Sequence, residues 1–152
     1  MSRLLALGVI ALLALPARAA EAPNACELLK PGEINLIASN KVDRVVQQKS
    51  GNPSECGFMD ARKAVLVVTV RTVQYAVKDE LFQERDNLEK IYHSKSKPVD
   101  AIGEGAYWLA ANHQLGFRRG KTIVSVRFAT PRNQNELDTS QVARMIDARL
   151  PK

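Results

Sequence analysis

The fold is decided by the stretch Ala64-Val65-Leu66-Val67-Val68-Thr69-Val70-Arg71-Thr72-Val73. Most of its residues are β-branched, and such residues favour strands over helices. The unbroken apolar run Val65–Val68 is typical of a strand buried on both faces. The stretch therefore predicts a central strand with other elements packed above and below it.

Shorter β-favouring segments lie on both sides of this strand. Before it, Val42–Gln48 stops at the turn signal Ser50-Gly51-Asn52-Pro53, and the next strand begins at Cys56-Gly57-Phe58-Met59. After it, connections of hairpin length predict antiparallel pairing between three further segments. These segments are Ala106–Ala110, Gln114–Arg118 and Thr122–Phe128.

Three segments have helical character. Asn24 caps an N-terminal helix that is kinked at Pro31 and ends near Ser39-Asn40. Lys78–His93 and Glu136–Leu150 each place apolar residues along one face. Strands grouped between helices predict an α+β domain, in which N-terminal, middle and C-terminal helices pack on an antiparallel sheet.

The first nineteen residues have the pattern of a secretory signal peptide. A cationic start precedes the apolar run Leu4–Leu15, and Pro16 precedes the small-residue cleavage motif Ala17-Arg18-Ala19. The apolar run is shorter than the roughly 20 residues that cross a bilayer, so cleavage after Ala19 is favoured over an uncleaved anchor. We expect a leader at 1–19 and one domain at 20–152, exported to a bacterial periplasm with no stable membrane insertion.

The charge of the chain is mildly basic. Cleavage would remove Arg3 and Arg18 from 22 basic residues and leave the 16 acidic ones, for a net charge of +4. The basic residues are scattered and form no stripe with interleaved aromatic residues, so nucleic acid is not an expected partner. Weak attraction to anionic lipid or glycan is a lesser alternative.

Cys26 and Cys56 are the only two cysteines of the chain. An even pair in an oxidising compartment predicts a structural disulfide. The alternative is a redox or metal-binding thiol pair, but such pairs use much shorter spacings.

Three groups of short motifs occur together. They are Ala25-Cys26-Glu27-Leu28-Leu29 with Pro31-Gly32-Glu33, then Cys56-Gly57-Phe58, then Ile102-Gly103-Glu104-Gly105-Ala106-Tyr107-Trp108. With these motifs the chain resembles small exported bacterial domains of unknown function, which are similar in architecture to PsbP-like α/β sandwich domains. The resemblance spans most of the chain after the leader. It implies a protein that binds other proteins and has no catalytic centre.

Residues that could bind a metal or act as a catalytic base are far apart in the sequence. The sequence has no Gly-x-Ser-x-Gly motif that would supply a nucleophilic serine for His93 or His113. Both histidines fit exposed turn positions. Met59 and Met145 could join the histidines in a copper site, but no two of these residues share a ligand spacing. We therefore expect no metal and no cofactor.

A pair of carboxylates for glycan hydrolysis could combine Glu104 with Asp100 or Glu80. The chain has few aromatic residues to line a glycan cleft. The Gly103-Glu104-Gly105 turn precedes a strand, whereas a phosphate-binding loop precedes a helix. We therefore expect no catalytic residues.

The most suggestive surface residues follow that turn. Alternation along a strand puts Tyr107 and Trp108 on opposite faces, so that one ring can face outward beside Arg118 and Arg119. These four residues are the candidate contact surface for a partner. The alternative is that both rings pack under neighbouring elements.

These observations favour a non-catalytic periplasmic binding module that interacts with another, unidentified protein of the cell envelope. The alternative is a carrier of a small apolar or anionic ligand, with a pocket between the sheet and the helices. An enzyme acting on cell-wall or lipid substrates is the third class, and it would need a polar cleft with converging titratable groups.

Overall fold

A seven-stranded antiparallel sheet forms the centre of the computed structural model, which describes residues 21–74 and 78–151. The expected leader at 1–19 lies outside the described residues. The strands are β1 (Arg44–Lys49), β2 (Ser54–Asp60), β3 (Lys63–Thr72), β4 (Lys97–Pro98), β5 (Ala106–Leu109), β6 (Gln114–Arg119) and β7 (Thr122–Phe128). The helices are α1 (Pro31–Asn35), α2 (Lys78–Tyr92) and α3 (Glu136–Asp147). The expected α+β class, with helices packed on an antiparallel sheet, is confirmed.

The order of the strands across the sheet is β1-β2-β3-β7-β6-β5-β4. Two meanders, β1 to β3 and β4 to β7, therefore meet at a single seam between β3 and β7. Along this seam Leu66 lies opposite Phe128 and Val70 opposite Val124. β4 has only two residues, and one of them is proline, so no strand pattern in the sequence predicts it.

The larger hydrophobic core lies on the sheet face that packs against α3, here called the α3 face. Phe58, Leu66 and Phe117 share this core with Ile146 of α3, and all four side chains are fully buried. The predicted disulfide is confirmed: Cys26 and Cys56 are joined with an S–S distance of 2.04 Å. It links a 3₁₀ turn at Ala25–Glu27 to β2 on this side of the sheet.

The N-terminal region differs from the single kinked helix that the sequence predicts. It contains the 3₁₀ turn Ala25–Glu27 and the short helix α1, separated by an extended Lys30. A residue before proline is pushed out of the helical region, so Lys30 interrupts the helix rather than kinking it. The cap is confirmed, because the Asn24 side chain accepts a hydrogen bond from the Cys26 N–H at 3.0 Å.

The opposite face of the sheet, here called the α2 face, is only partly covered. Leu81 of α2 packs against Tyr107, Leu109 and Ile123 over the second meander. Over the first meander Val67 is only half-buried, so the expectation of complete burial on both faces of β3 is wrong at this position. Among the described residues, no helix is long and apolar enough to span a bilayer.

Candidate functional site

Tyr107 and Trp108 occupy opposite faces of β5, as the alternation predicts. Trp108 belongs to the core of the α3 face and Tyr107 to the smaller cluster of the α2 face. Their exposed fractions are only 5% and 2%, so neither ring faces outward. Of the two arrangements that the alternation allows, the structure has the one in which both rings pack under neighbouring elements.

The Tyr107 ring lies across the neighbouring strand at Gly116. A Cβ at Gly116 would come within 2.5 Å of Cε1 of the ring, so only glycine leaves room for it. The Tyr107 hydroxyl donates to Oε1 of Glu84 on α2 at 3.0 Å. Burial, followed by the negative charge of Glu84, raises the pKa of Tyr107 far above its usual value. Tyr107 therefore acts as a neutral donor that fastens α2 to the sheet.

Arg71 of β3 completes this polar contact. Its Nη2 lies 2.9 Å from Oε2 of Glu84, and its Nη1 lies 3.2 Å from Oε2 of Glu80. Glu80 and Glu84 of α2 therefore share the single guanidinium of Arg71 at the sheet. Arg71, Glu84 and Tyr107 are all engaged in contacts that attach α2 to the sheet.

Arg118 and Arg119 are likewise engaged within the protein. Nη2 of Arg118 lies 2.7 Å from Oε2 of Glu104, and Arg118 is only 4% exposed. Nε of Arg119 donates to Oδ1 of Asp147 on α3 at 2.7 Å. This hydrogen bond raises the pKa of Arg119. Both guanidinium groups are therefore engaged in contacts within the protein. Binding of a partner by Tyr107, Trp108, Arg118 and Arg119 stays a prediction.

The Gly103-Glu104-Gly105 turn has a structural role. Gly103 has φ +56°, and a Cβ there would lie 2.1 Å from the Arg118 carbonyl oxygen. The Glu104 N–H donates to that same oxygen at 2.8 Å, and Oε1 of Glu104 accepts from the Gly120 N–H at 2.9 Å. The turn therefore fixes the β6–β7 hairpin through hydrogen bonds at both of its ends.

Among the other predicted candidates, the histidines lie in turns, and two of the three carboxylates form ion pairs. Both histidines sit in turns with positive φ, His93 at +48° after α2 and His113 at +55° before β6. Glu80 and Glu104 pair with different arginines. Within 21–74 and 78–151, no group of three His, Cys, Asp or Glu residues is placed to hold a metal ion.

A cavity of about 980 Å³ opens where the first and second meanders meet at one end of the sheet. The β2–β3 turn forms one wall and the chain after β7 forms the other, because the pairing of Leu66 with Phe128 continues in the hydrogen bond from the Ala129 N–H to the Val65 carbonyl at 2.8 Å. The segment after α1 closes the third side. The lining residues are Ser39, Asn40, Asp60, Ala61, Arg62, Lys63, Ala64, Val65, Ala129, Thr130, Pro131 and Arg132.

The rim of this cavity is cationic. Arg62, Lys63 and Arg132 are exposed. None of the three has an ion-pair partner in the part of the chain that the structure describes, whereas Arg118 and Arg119 are both paired. Asp60 is the single carboxylate of the lining, and it accepts a hydrogen bond from Asn40 at 3.0 Å. The apolar residues of the lining are the exposed Ala61, Ala129 and Pro131, the half-buried Ala64 and the fully buried Val65.

The walls of the cavity are held by internal hydrogen bonds. Nη2 of Arg44 donates to the Ala61 carbonyl at 2.8 Å and so fixes the β2–β3 turn. Buried Asn133 joins the other two walls: its Oδ1 accepts from the Ser39 N–H at 3.1 Å, and its Nδ2 donates to the Ile37 carbonyl at 3.2 Å. The cavity is therefore part of the folded framework.

Sequence reasoning did not find this site. The basic residues of Ala61-Arg62-Lys63 and Pro131-Arg132 are visible in the sequence, each next to a turn signal. They become neighbours only through the pairing of β3 with β7, and no local sequence pattern predicts that pairing. No protein-family model matches the chain. Comparison with curated proteins gives no significant match either. The resemblance to PsbP-like domains accordingly stays a prediction.

Proposed function

We propose that this protein is a non-catalytic binding module of the bacterial cell envelope, and that it holds a small amphipathic anion in the cavity between the β2–β3 turn and the chain after β7. The observation that carries this proposal is that Arg62, Lys63 and Arg132, which have no ion-pair partner among the described residues, line one cavity with a single carboxylate. These cations recognise a carboxylate or phosphate, and the alanine and proline side chains of the lining contact the apolar part of the ligand.

The size and chemistry of the cavity support a ligand of this class. Ligand-binding cavities commonly measure about 300–1,000 Å³, and the 980 Å³ here lies at the upper end. Two of the three rim cations are arginines, which bind carboxylate and phosphate oxygens in a bidentate manner. A single carboxylate, Asp60, offsets them, so the local charge favours anions.

A binding role also accounts for the titratable groups better than a catalytic one does. General acid–base chemistry needs groups that exchange protons near the working pH, and arginine and lysine stay protonated there. The cavity lining supplies these two residue types and one carboxylate. The periplasmic location belongs to the same proposal, and it rests on the leader pattern at residues 1–19.

Calorimetric titration of the exported protein tests the proposed site. The probes are octanoate, octyl phosphate and 1-octanol, each below its aggregation concentration. We expect both anions to bind, and octanol to bind at least about tenfold more weakly because it lacks the charge. The double variant Arg62→Gln/Arg132→Gln should lower the affinity for both anions by about tenfold or more and leave the affinity for octanol unchanged.

The matched control is Lys90→Gln/Lys121→Gln, which removes two exposed cations outside the cavity. It should bind both anions as the wild type does. Equal weakening in both double variants would show a general charge effect and overturn the assignment to this cavity. The absence of binding by either anion to the wild type would overturn the proposed function.

A second candidate is the interaction with another envelope protein that the sequence favours. α2 carries Phe82, Ile91 and Tyr92, three of the five large exposed hydrophobic side chains among the described residues. The Arg85 guanidinium lies over the Phe82 ring, 4.8 Å from its centroid. Aromatic and arginine side chains of this kind often form the centre of a protein interface.

Site-specific photocrosslinking in the periplasm tests this second candidate. A photoreactive residue at Phe82 or Tyr92 should give one discrete adduct, and the same residue at Lys121 should give none. Removal of the Arg85 side chain by Arg85→Ala should reduce the adduct formed from Tyr92. Identical adducts from all three positions would contradict an interface on α2.

A further inference from the structure

One carboxylate lies among the cations of the cavity. Asp60, at the end of β2, and Lys63, at the start of β3, are directly opposite each other across the β2–β3 turn. Residues paired in this way point to the same face of a sheet, with Cβ atoms about 4.5–5.5 Å apart. Both residues line the cavity. The pairing therefore places one negative and one positive side chain side by side at the ligand site.

These two opposite charges do not neutralise each other. Neither Asp60 nor Lys63 forms an ion pair within residues 21–74 and 78–151. Asp60 is half-buried, and its Oδ2 accepts a hydrogen bond from Nδ2 of Asn40 at 3.0 Å. Oδ1 of Asp60 and Oδ1 of Asn40 accept no hydrogen bond from the described part of the chain. Two acceptor oxygens beside the rim cations are thus available to a ligand.

A carboxylate at this place affects different ligands in opposite ways. It lowers the affinity for a simple anion, because like charges repel each other at the position where the anionic group binds. It raises the affinity for a ligand that carries a cation next to its anionic group. A primary ammonium group has three N–H donors, which the free oxygens of Asp60 and Asn40 can accept. Arg62 and Arg132 then remain for the anionic group of the ligand.

We propose that the ligand of the cavity is an α-amino acid with an apolar side chain. Its ammonium group binds Asp60 and Asn40, and its side chain contacts the alanine and proline residues of the lining. Its carboxylate binds the rim cations Arg62, Lys63 and Arg132. An α-amino acid carries both charged groups on one carbon, which matches the side-by-side placement of Asp60 and Lys63. The inference rests on the proposed function, since the carboxylate is the anionic group that the same cavity recognises.

Calorimetric titration with octanoate and 2-aminooctanoate tests the proposal, because the two probes differ only by one ammonium group on the α-carbon. The wild type should bind 2-aminooctanoate about tenfold more tightly than octanoate. The variant Asp60→Asn removes the negative charge but keeps an oxygen that accepts the hydrogen bond from Asn40. It should bind 2-aminooctanoate about tenfold more weakly than the wild type does, and octanoate equally well or better. The preference between the two probes should therefore disappear.

The matched control is Asp100→Asn, the same change at an exposed carboxylate outside the lining, which should keep the wild-type preference. Wild-type protein that binds octanoate, and binds 2-aminooctanoate no more tightly, would overturn the amino acid proposal and leave the anion site standing. Equal loss of the preference in both variants would also overturn it, because the preference would then not depend on Asp60. Failure of the wild type to bind either probe would overturn this proposal and the proposed function together.

Discussion

The two faces of the sheet are stabilised by different interactions. On the α3 face, Phe58, Phe117 and Ile146 form a continuous apolar core reinforced by the Cys26–Cys56 disulfide. On the α2 face, a small apolar cluster around Leu81 is supplemented by hydrogen bonds and ion pairs centred on Glu84. The comparison shows that α3 combines a large apolar core with the Arg119–Asp147 ion pair, whereas α2 has only a small apolar cluster beside its polar network.

Truncation of one buried side chain on each helix should give the largest difference in the free energy of unfolding between the two faces. Ile146→Ala on α3 removes a fully buried side chain from an enclosed core and should lower the free energy of unfolding by about 4 kcal/mol. Leu81→Ala on α2 should lower it by about 2 kcal/mol, because the thinner cluster can collapse around the change. Urea denaturation of both variants measures the two values. Equal losses would contradict the distinction between the faces.

Removal of the Tyr107 hydroxyl should show how much its hydrogen bond to Glu84 stabilises α2 on the sheet. Tyr107→Phe retains the ring over Gly116 but deletes the hydrogen bond to Glu84, and should cost about 1–2 kcal/mol of stability. Hydrogen exchange should accelerate in α2 and not in α3. Tyr92→Phe, which removes the hydroxyl of an exposed tyrosine, should change neither quantity. Equal acceleration in both helices would show that Tyr107 does not act through α2.

Acid should remove the stability contributed by one ion pair on the α3 side, and this loss should be smaller than the effect of Tyr107→Phe. Arg149 donates to Glu33 and lowers the pKa of that carboxyl from 4.5 to about 2. A lowered folded-state pKa contributes stability above about pH 4.5, and this contribution is lost as the pH falls through 2. Because Arg149 is partly exposed, we expect only about 1 kcal/mol from the pair at neutral pH.

The variant Glu33→Gln measures this contribution. It should be less stable than the wild type at pH 7, and the two proteins should converge as the pH approaches 2. Glu27→Gln, at an exposed carboxylate without an ion pair among the described residues, is the control and should show no such convergence. A gap between Glu33→Gln and the wild type that persists at pH 2 would contradict the assignment.

Local pattern was sufficient for much of the fold. The β-branched run predicts β3, the helical periodicity predicts α2 and α3, and the cysteine pair predicts the disulfide. The single N-terminal helix is wrong, because Pro31 disfavours a helical backbone at the residue before it. Lys30 is extended and divides the region into two short elements.

The candidate site required information that local pattern lacks. Alternation places Tyr107 and Trp108 on opposite faces, but it does not show that both rings are buried. The partners of Arg118 and Arg119, Glu104 and Asp147, are 14 and 28 residues away in the sequence, and helix or strand periodicity does not connect them. The cavity depends on the pairing of β3 with β7, which joins segments about 60 residues apart.

That same pairing has a consequence for the order in which the chain folds. Each meander is made of neighbours in sequence, so its hairpins can form within microseconds of collapse. Closing β7 onto β3 must instead restrain the whole intervening chain, including α2, before any contact at the seam compensates for the lost entropy. We expect the rate-limiting step of folding to be the docking of two preformed halves, with the cavity completed only at that moment.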